Sequence, residues 1–154
     1  MTRLQADFKD FLRLLSAHRV EYLLIGGYAV GFHGYPRATV DLDVWVARTP
    51  ANAARIVTAL RAFGFTDPVL TAMLFLEQDR IVRMGLPPFR IEIATTISGV
   101  EFEACYRRRL EVSIDGVPVT VIDLASLRRN KKAAGRHKDL DDLENLPPAD
   151  EADG

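Results

Sequence analysis

Between Val40 and Val46 the chain reads VDLDVWV. Apolar residues recur with a period of two, which suits a strand and not a helix. Asp41, Asp43 and Trp45 share one face; Val40, Leu42, Val44 and Val46 share the other. The segment belongs in a sheet with one face packed, and that packing puts two carboxylates side by side on the opposite face. Aspartate is depleted in strands, and like charges at this spacing repel unless a cation neutralises them. A hard divalent cation takes carboxylate oxygens. The pair is either a solvated strand face or part of a metal site.

A third carboxylate stands in a similar setting. In Arg90-Ile91-Glu92-Ile93, Glu92 lies between two β-branched residues that would face the core. If this strand lies beside 40–46, Glu92 joins Asp41 and Asp43. Three carboxylates can hold two metal ions about 3.5–4 Å apart, an arrangement that serves phosphoryl chemistry; the alternative is a surface residue on an edge strand. Upstream, Gly26-Gly27 follows the apolar run Val20–Ile25 and precedes a short helix expected over 28–33. Glycines there let the backbone approach a ligand, and a phosphate is the favoured one. The pair fits neither the P-loop nor the dinucleotide pattern.

The rest of the chain alternates helix and strand signals. Leu4, Phe8, Phe11, Leu12 and Leu15 define an amphipathic helix over 3–18. Thr49 and Pro50 mark the start of a helix over 50–63. Met73–Leu76, Arg80–Met84 and Phe89–Ala94 read as strands, with a turn at 77–79, and residues 99–107 as helical. Asp115-Gly116 turns a hairpin between Leu110–Ile114 and Val117–Ile122. Asp123 caps a helix to about Ala134, a second spans 136–145, and Pro147-Pro148 ends the fold. This organisation predicts one domain over 1–146 and a disordered acidic tail over 147–154.

Charge divides unevenly. Residues 139–154 carry seven acids and no base, leaving a net +6 on the remaining 138 residues. A basic body suits a phosphorylated ligand or nucleic acid; ordinary solubility charge with an acidic tail is the alternative. The lone Cys105 excludes a disulfide framework and a cysteine-based zinc site. No apolar run reaches the ~18 residues of a membrane helix, and the N-terminus lacks a signal-peptide pattern. A cytoplasmic protein without membrane association is the expectation.

The block GGYAVGFHGYPRATVDLDVWV resembles the signature of the DNA polymerase β-like nucleotidyltransferase superfamily. Within it, the block is similar to bacterial nucleotidyltransferases related to the abortive-infection (AbiE-type) toxins. FRIEIATTISGVEFE resembles the third-carboxylate strand of that family, and LRRNKKAAGRHKDLDDLENL its basic C-terminal helix; the likeness spans about residues 20–146. It implies an α/β (α+β) fold, a mixed sheet with helices packed on it and basic helices at the C-terminus. It implies transfer of a nucleoside monophosphate from an NTP to an acceptor hydroxyl, on RNA (tRNA ends among them) or on a protein, with release of pyrophosphate. Mg²⁺, or Mn²⁺, would bind Asp41, Asp43 and Glu92. Relatives more often have aspartate at the last position. Gly26, Gly27, Arg37 and Thr39 would contact the triphosphate.

Arg128, Arg129, Lys131, Lys132, Arg136 and Lys138 crowd the two C-terminal helices. The resemblance assigns Lys131 and Lys138 to the nucleotide, with Asp139 and Asp142 in support. A solvated face with locally paired bases, or an RNA contact, are the other readings of this block. Trp45 could line a base pocket, though core packing is the simpler role. Larger toxins of this type carry a further helical region, so a cognate toxin or antitoxin partner, or a second subunit, is expected to help bind the acceptor. Met73–Leu76 could be a sheet edge used in dimerisation. Two other functions stay open: a catalytically weak nucleotide- or partner-binding module on the same fold, and an aminoglycoside nucleotidyltransferase.

Overall fold

A computed structural model describes residues 4–85 and 89–149. Six strands form one mixed sheet: β1 (Tyr22–Ile25), β2 (Asp41–Val46), β3 (Ile81–Met84), β4 (Arg90–Ala94), β5 (Leu110–Ile114) and β6 (Val117–Val121), in the order β3-β4-β2-β1-β6-β5. Antiparallel pairing joins β3 to β4, β2 to β1 and β6 to β5; β4–β2 and β1–β6 are parallel. The helices are α1 (Ala6–Ala17), α2 (Gly26–Phe32), α3 (Pro50–Phe63), α4 (Phe102–Arg107), α5 (Leu124–Ala134) and α6 (His137–Asn145). The fold class is the expected α/β arrangement. Among the described residues no helix is long and apolar enough to cross a membrane.

Local chemistry sets most boundaries. The α1 stripe of Phe8, Phe11, Leu12 and Leu15 is buried, and the helix packs against α3 and β6. It starts at Ala6 because the Gln5 side chain accepts from the N–H groups of Asp7 and Phe8. The Thr49 hydroxyl accepts from Asn52 N–H at 3.2 Å, with Pro50 at the first helical position. Asp123 caps α5 by accepting from Ser126 N–H at 3.2 Å. Asn52, fully buried, ties α3 to the sheet. Its Oδ1 accepts from Glu21 N–H at 2.7 Å, and its Nδ2 donates to the carbonyls of Glu21 and Ala47 at 3.0 and 2.9 Å.

Three expectations change. Residues Met73–Leu76 are not a strand but lie in a 3₁₀ helix, Ala72–Leu76, that packs on α3 and buries Phe75. A short apolar run does not by itself distinguish the two conformations. This segment is therefore no sheet edge; the edges are β3 and β5. Second, Arg19 takes a left-handed φ of 58° and Val20 N–H closes onto the Leu15 carbonyl, so β1 begins at Tyr22 rather than Val20. Third, α2 begins at Gly26 itself, two residues earlier than expected, with no loop after β1. Of the expected tail, Pro147 accepts from Arg128 at 3.3 Å, and residues 150–154 lie outside the described residues.

Candidate active site

Strand register brings the three carboxylates to one end of the sheet. In the parallel β2–β4 pair Asp43 lies opposite Glu92, and Asp41 opposite Arg90. In the antiparallel β3–β4 pair Arg83 lies opposite Glu92. All three acids line one cleft of about 680 Å³. Its other walls come from Gly26 and Gly27 at the start of α2, from Arg37 and Thr39, and from Lys131 and Lys138 on α5 and α6. The cleft thus gathers nine of the side chains and glycines singled out in the sequence; Asp139 and Asp142 stand behind its basic wall.

Electrostatics at the floor are set by crowding. Burial pushes the Asp43 carboxyl up to about 7, helped by its hydrogen bond to Glu92 and by the negative charges of Glu92 and Asp41. Burial alone would raise Glu92 too. Hydrogen bonds from Asp43 and Arg83 outweigh it and hold Glu92 below the ordinary glutamate value. Asp43 therefore holds its proton to higher pH than Glu92, which accepts its hydrogen bond. Asp41 Oδ1 is buried without a hydrogen-bond partner, and Arg90 Nε is 3.6 Å from it.

The two glycines are spatial requirements. Gly26 has φ +70°, and a Cβ there would lie 2.1 Å from Asp43 Oδ2. A Cβ on Gly27 would lie 2.4 Å from Thr39 Oγ1 and 3.3 Å from Arg37 Nη1. Any side chain at either place would occupy the floor of the cleft.

The basic wall is a charged network rather than a row of free cations. Lys131, 5% exposed, places Nζ 3.2 Å from Asp139 Oδ1 and 3.1 Å from Asp142 Oδ2. Arg37 grips the same Asp142 with two hydrogen bonds, at 2.8 and 3.0 Å. Arg136 holds Asp139 at 2.7 Å. Arg128 donates to the carbonyls of Leu143 and Pro147, and Arg129 to Ser126 Oγ. Local pairing thus absorbs most of the block. Lys138 is exposed, lines the cleft and lowers the Asp43 value by its charge. Asp139 and Asp142 hold Lys131, Arg136 and Arg37 from behind and do not line the cleft themselves.

Trp45 and His33 lie outside the carboxylate cleft. Trp45 is buried, donates Nε1–H to the Thr95 carbonyl at 3.3 Å and packs edge-on against Phe102 at 5.1 Å. It does not line the carboxylate cleft. His33 donates Nε2–H to the Ile122 carbonyl at 2.7 Å, and burial lowers its pKa. The sequence reading missed Arg83, Arg90 and the Asn130 amide, which donates to the Ser98 carbonyl at 3.0 Å on the cleft rim. Arg90 was findable from period two alone, since it shares a strand face with Glu92; Arg83 meets Glu92 only through the β3–β4 register.

The donors are all oxygen, the kind a hard divalent cation takes. Among the described residues no three Asp, Glu, His or Cys side chains are gathered closely enough to hold an ion by themselves. Asp43 and Glu92 can supply two carboxylates to one ion, and Asp41, whose buried Oδ1 is ion-paired with Arg90 but accepts no hydrogen bond, lines the same cleft.

Neither a family model nor a curated protein matches the chain. Among solved structures, a Thermotoga maritima protein described as a "putative nucleotidyltransferase" aligns with TM-score 0.56 at 13% identity, covering 89% of this chain and 88% of that one. At that identity the likeness speaks for the fold: the chain has a nucleotidyltransferase-like fold.

Proposed function

We propose that this chain is a divalent-cation-dependent nucleotidyltransferase. It would transfer a nucleoside monophosphate from an NTP to an acceptor hydroxyl and release pyrophosphate. The observation that carries this is the pairing of Asp43 with Glu92 across β2 and β4, two residues along β2 from Asp41, at the foot of Gly26 and Gly27. Asp41, Asp43 and Glu92 would hold Mg²⁺ or Mn²⁺. Such an ion is typically held by one or two carboxylates with the substrate's phosphates completing its shell, so a full protein cage is not required. When bound, it supplies neutralisation of phosphate charge.

This chain's own residues do the remainder. The glycine backbone leaves room for the triphosphate, which Thr39, Arg37 and Lys138 face from the walls. Asp142 fixes the Arg37 guanidinium in one orientation. The acceptor oxygen bonds to the α-phosphorus as the bond to the bridging oxygen of pyrophosphate breaks. Glu92, on β4 opposite Asp43, would serve as a further cation ligand or as the base that takes the acceptor proton. A more open hollow of about 1050 Å³ shares Gly27, Arg37 and Thr39 with the cleft and gives the acceptor an approach past Tyr28 and Phe32. RNA, tRNA included, or a protein hydroxyl would be the acceptor. The AbiE-type likeness adds a toxin–antitoxin setting with a cognate partner.

The test is transfer of label from α-labelled NTPs with Mg²⁺ into a cell lysate, with Asp43→Asn alongside. Label present with the native chain and absent with the variant supports the enzyme, and nuclease or protease sensitivity names the acceptor. One observation favours a second reading, a nucleotide-binding module without turnover: Glu92 and Asp41 are each engaged by an arginine. Nucleotide binding without any transfer would select it.

A further inference from the structure

Strand register lays the charges at the cleft floor in two rows. Arg83, Glu92 and Asp43 stand side by side on β3, β4 and β2. Arg90 and Asp41 stand side by side on β4 and β2. Cross-strand neighbours on one face are close enough to interact directly. Arg83 Nε donates to Glu92 Oε1 at 2.9 Å, and Arg90 Nε approaches Asp41 Oδ1 to 3.6 Å. The arginine side chains are 56% and 40% exposed, their carboxylate partners 20% and 25%. Each guanidinium therefore reaches in from solvent onto a carboxylate that is mostly enclosed.

A guanidinium and a metal ion want the same thing from a carboxylate, a lone pair on oxygen. Arg83 at 2.9 Å already takes a lone pair of Glu92 Oε1, and its positive charge repels a second cation arriving at the same carboxylate. We propose that Arg83 and Arg90 are internal counter-ions of the cation site, and that a divalent cation binds by displacing them from Glu92 and Asp41. This rests on the reading of Asp41, Asp43 and Glu92 as cation ligands. The arginines hold the acidic face together without metal and lower its affinity for the cation alone.

The measurement is Mn²⁺ binding to the full chain without nucleotide, followed by loss of the free-ion electron paramagnetic resonance signal. Arg83→Ala should tighten binding about two- to fivefold, as expected for an exposed pair, and with Arg90→Ala added about tenfold. Arg80→Ala is the control: it removes the same charge from the same edge of the sheet, but its guanidinium engages Glu77, not the cleft. It should leave Mn²⁺ affinity unchanged. Equal tightening in Arg80→Ala would mean a general field and overturn the proposal. So would unchanged or weaker binding in Arg83→Ala, with far-UV circular dichroism showing an intact fold. Asp43→Asn separates the two layers. If it abolishes Mn²⁺ binding while the arginine variants bind like the native chain, only the counter-ion role falls. If the native chain binds Mn²⁺ no better than Asp43→Asn, the cation site falls with it.

Discussion

Asp43→Asn should make the metal-free protein more stable at pH 8 while removing its chemistry. The Asp43 carboxyl is pushed from 3.8 to about 7 by burial and by the acids beside it. A raised folded value means that the native state holds the proton more tightly than the unfolded chain. That stabilisation is complete below about pH 4, declines as pH rises, and is gone above about pH 7. About three pH units at about 1.36 kcal/mol each give a ceiling of about 4 kcal/mol. Glu92 moves the opposite way and returns part of it, so about 2 kcal/mol is the working figure. Asparagine keeps the shape, can still donate to Glu92, and has no proton to lose. The assay is thermal unfolding by circular dichroism in EDTA from pH 4 to pH 8.5. At 2–4 °C per kcal/mol for a chain of this size, the variant's Tm should exceed the native one by about 4–8 °C at pH 8 and match it near pH 4. Mg²⁺ should then raise the native Tm and leave the variant's unmoved. A variant equally or less stable at pH 8, or a gap that does not change with pH, would refute the argument that burial and the neighbouring acids raise the Asp43 carboxyl.

Lys131→Met should destabilise by about 3–5 kcal/mol in urea unfolding, because it leaves Asp139 and Asp142 buried and short of a cation. Burial would raise the Asp139 carboxyl, yet Arg136 and Lys131 hold it below its ordinary value. That contribution is present above about pH 4 and lost below it, so the Lys131→Met deficit should shrink in acid; a deficit under about 1 kcal/mol at pH 7 would mean the network is solvated. Gly26→Ala should cost about 1–3 kcal/mol from its φ of +70° and also abolish label transfer, since the new Cβ meets Asp43; unimpaired transfer would show that the cleft floor can yield. Asn52→Ala should cost about 2–4 kcal/mol in the same urea assay, by leaving the Glu21 and Ala47 backbone groups unpaired, and a loss below about 1 kcal/mol would mean water replaces the amide.

Where an element depended on neighbours in sequence, the chain was legible. The period-two run at 40–46, the Thr49-Pro50 start, the Asp115-Gly116 turn and the Asp123 cap are all local chemistry, and all four appear in the fold. Asp43 and Glu92 meet because β2 and β4 pair in one register, which no local pattern states; the guess that the strands were neighbours happened to be the needed step. The interior position of Lys131 was illegible. Lysines on a helix read as solvated, and only the return of α6 supplies the two carboxylates that let one be buried. The 72–76 segment failed for a different reason: its apolar residues serve contact with α3, which a 3₁₀ turn satisfies as well as a strand.

The clasp between Arg37 and Asp142 joins residues 105 positions apart in the chain. During synthesis the acidic floor and the glycines emerge early, whereas the fastening of their opposite wall emerges with α6, the last helix among the described residues. A nascent chain can pair β2 with β4 long before Arg37 has anything to hold it toward Gly27. Closure of the cleft wall is in that sense a late event, which waits for α6.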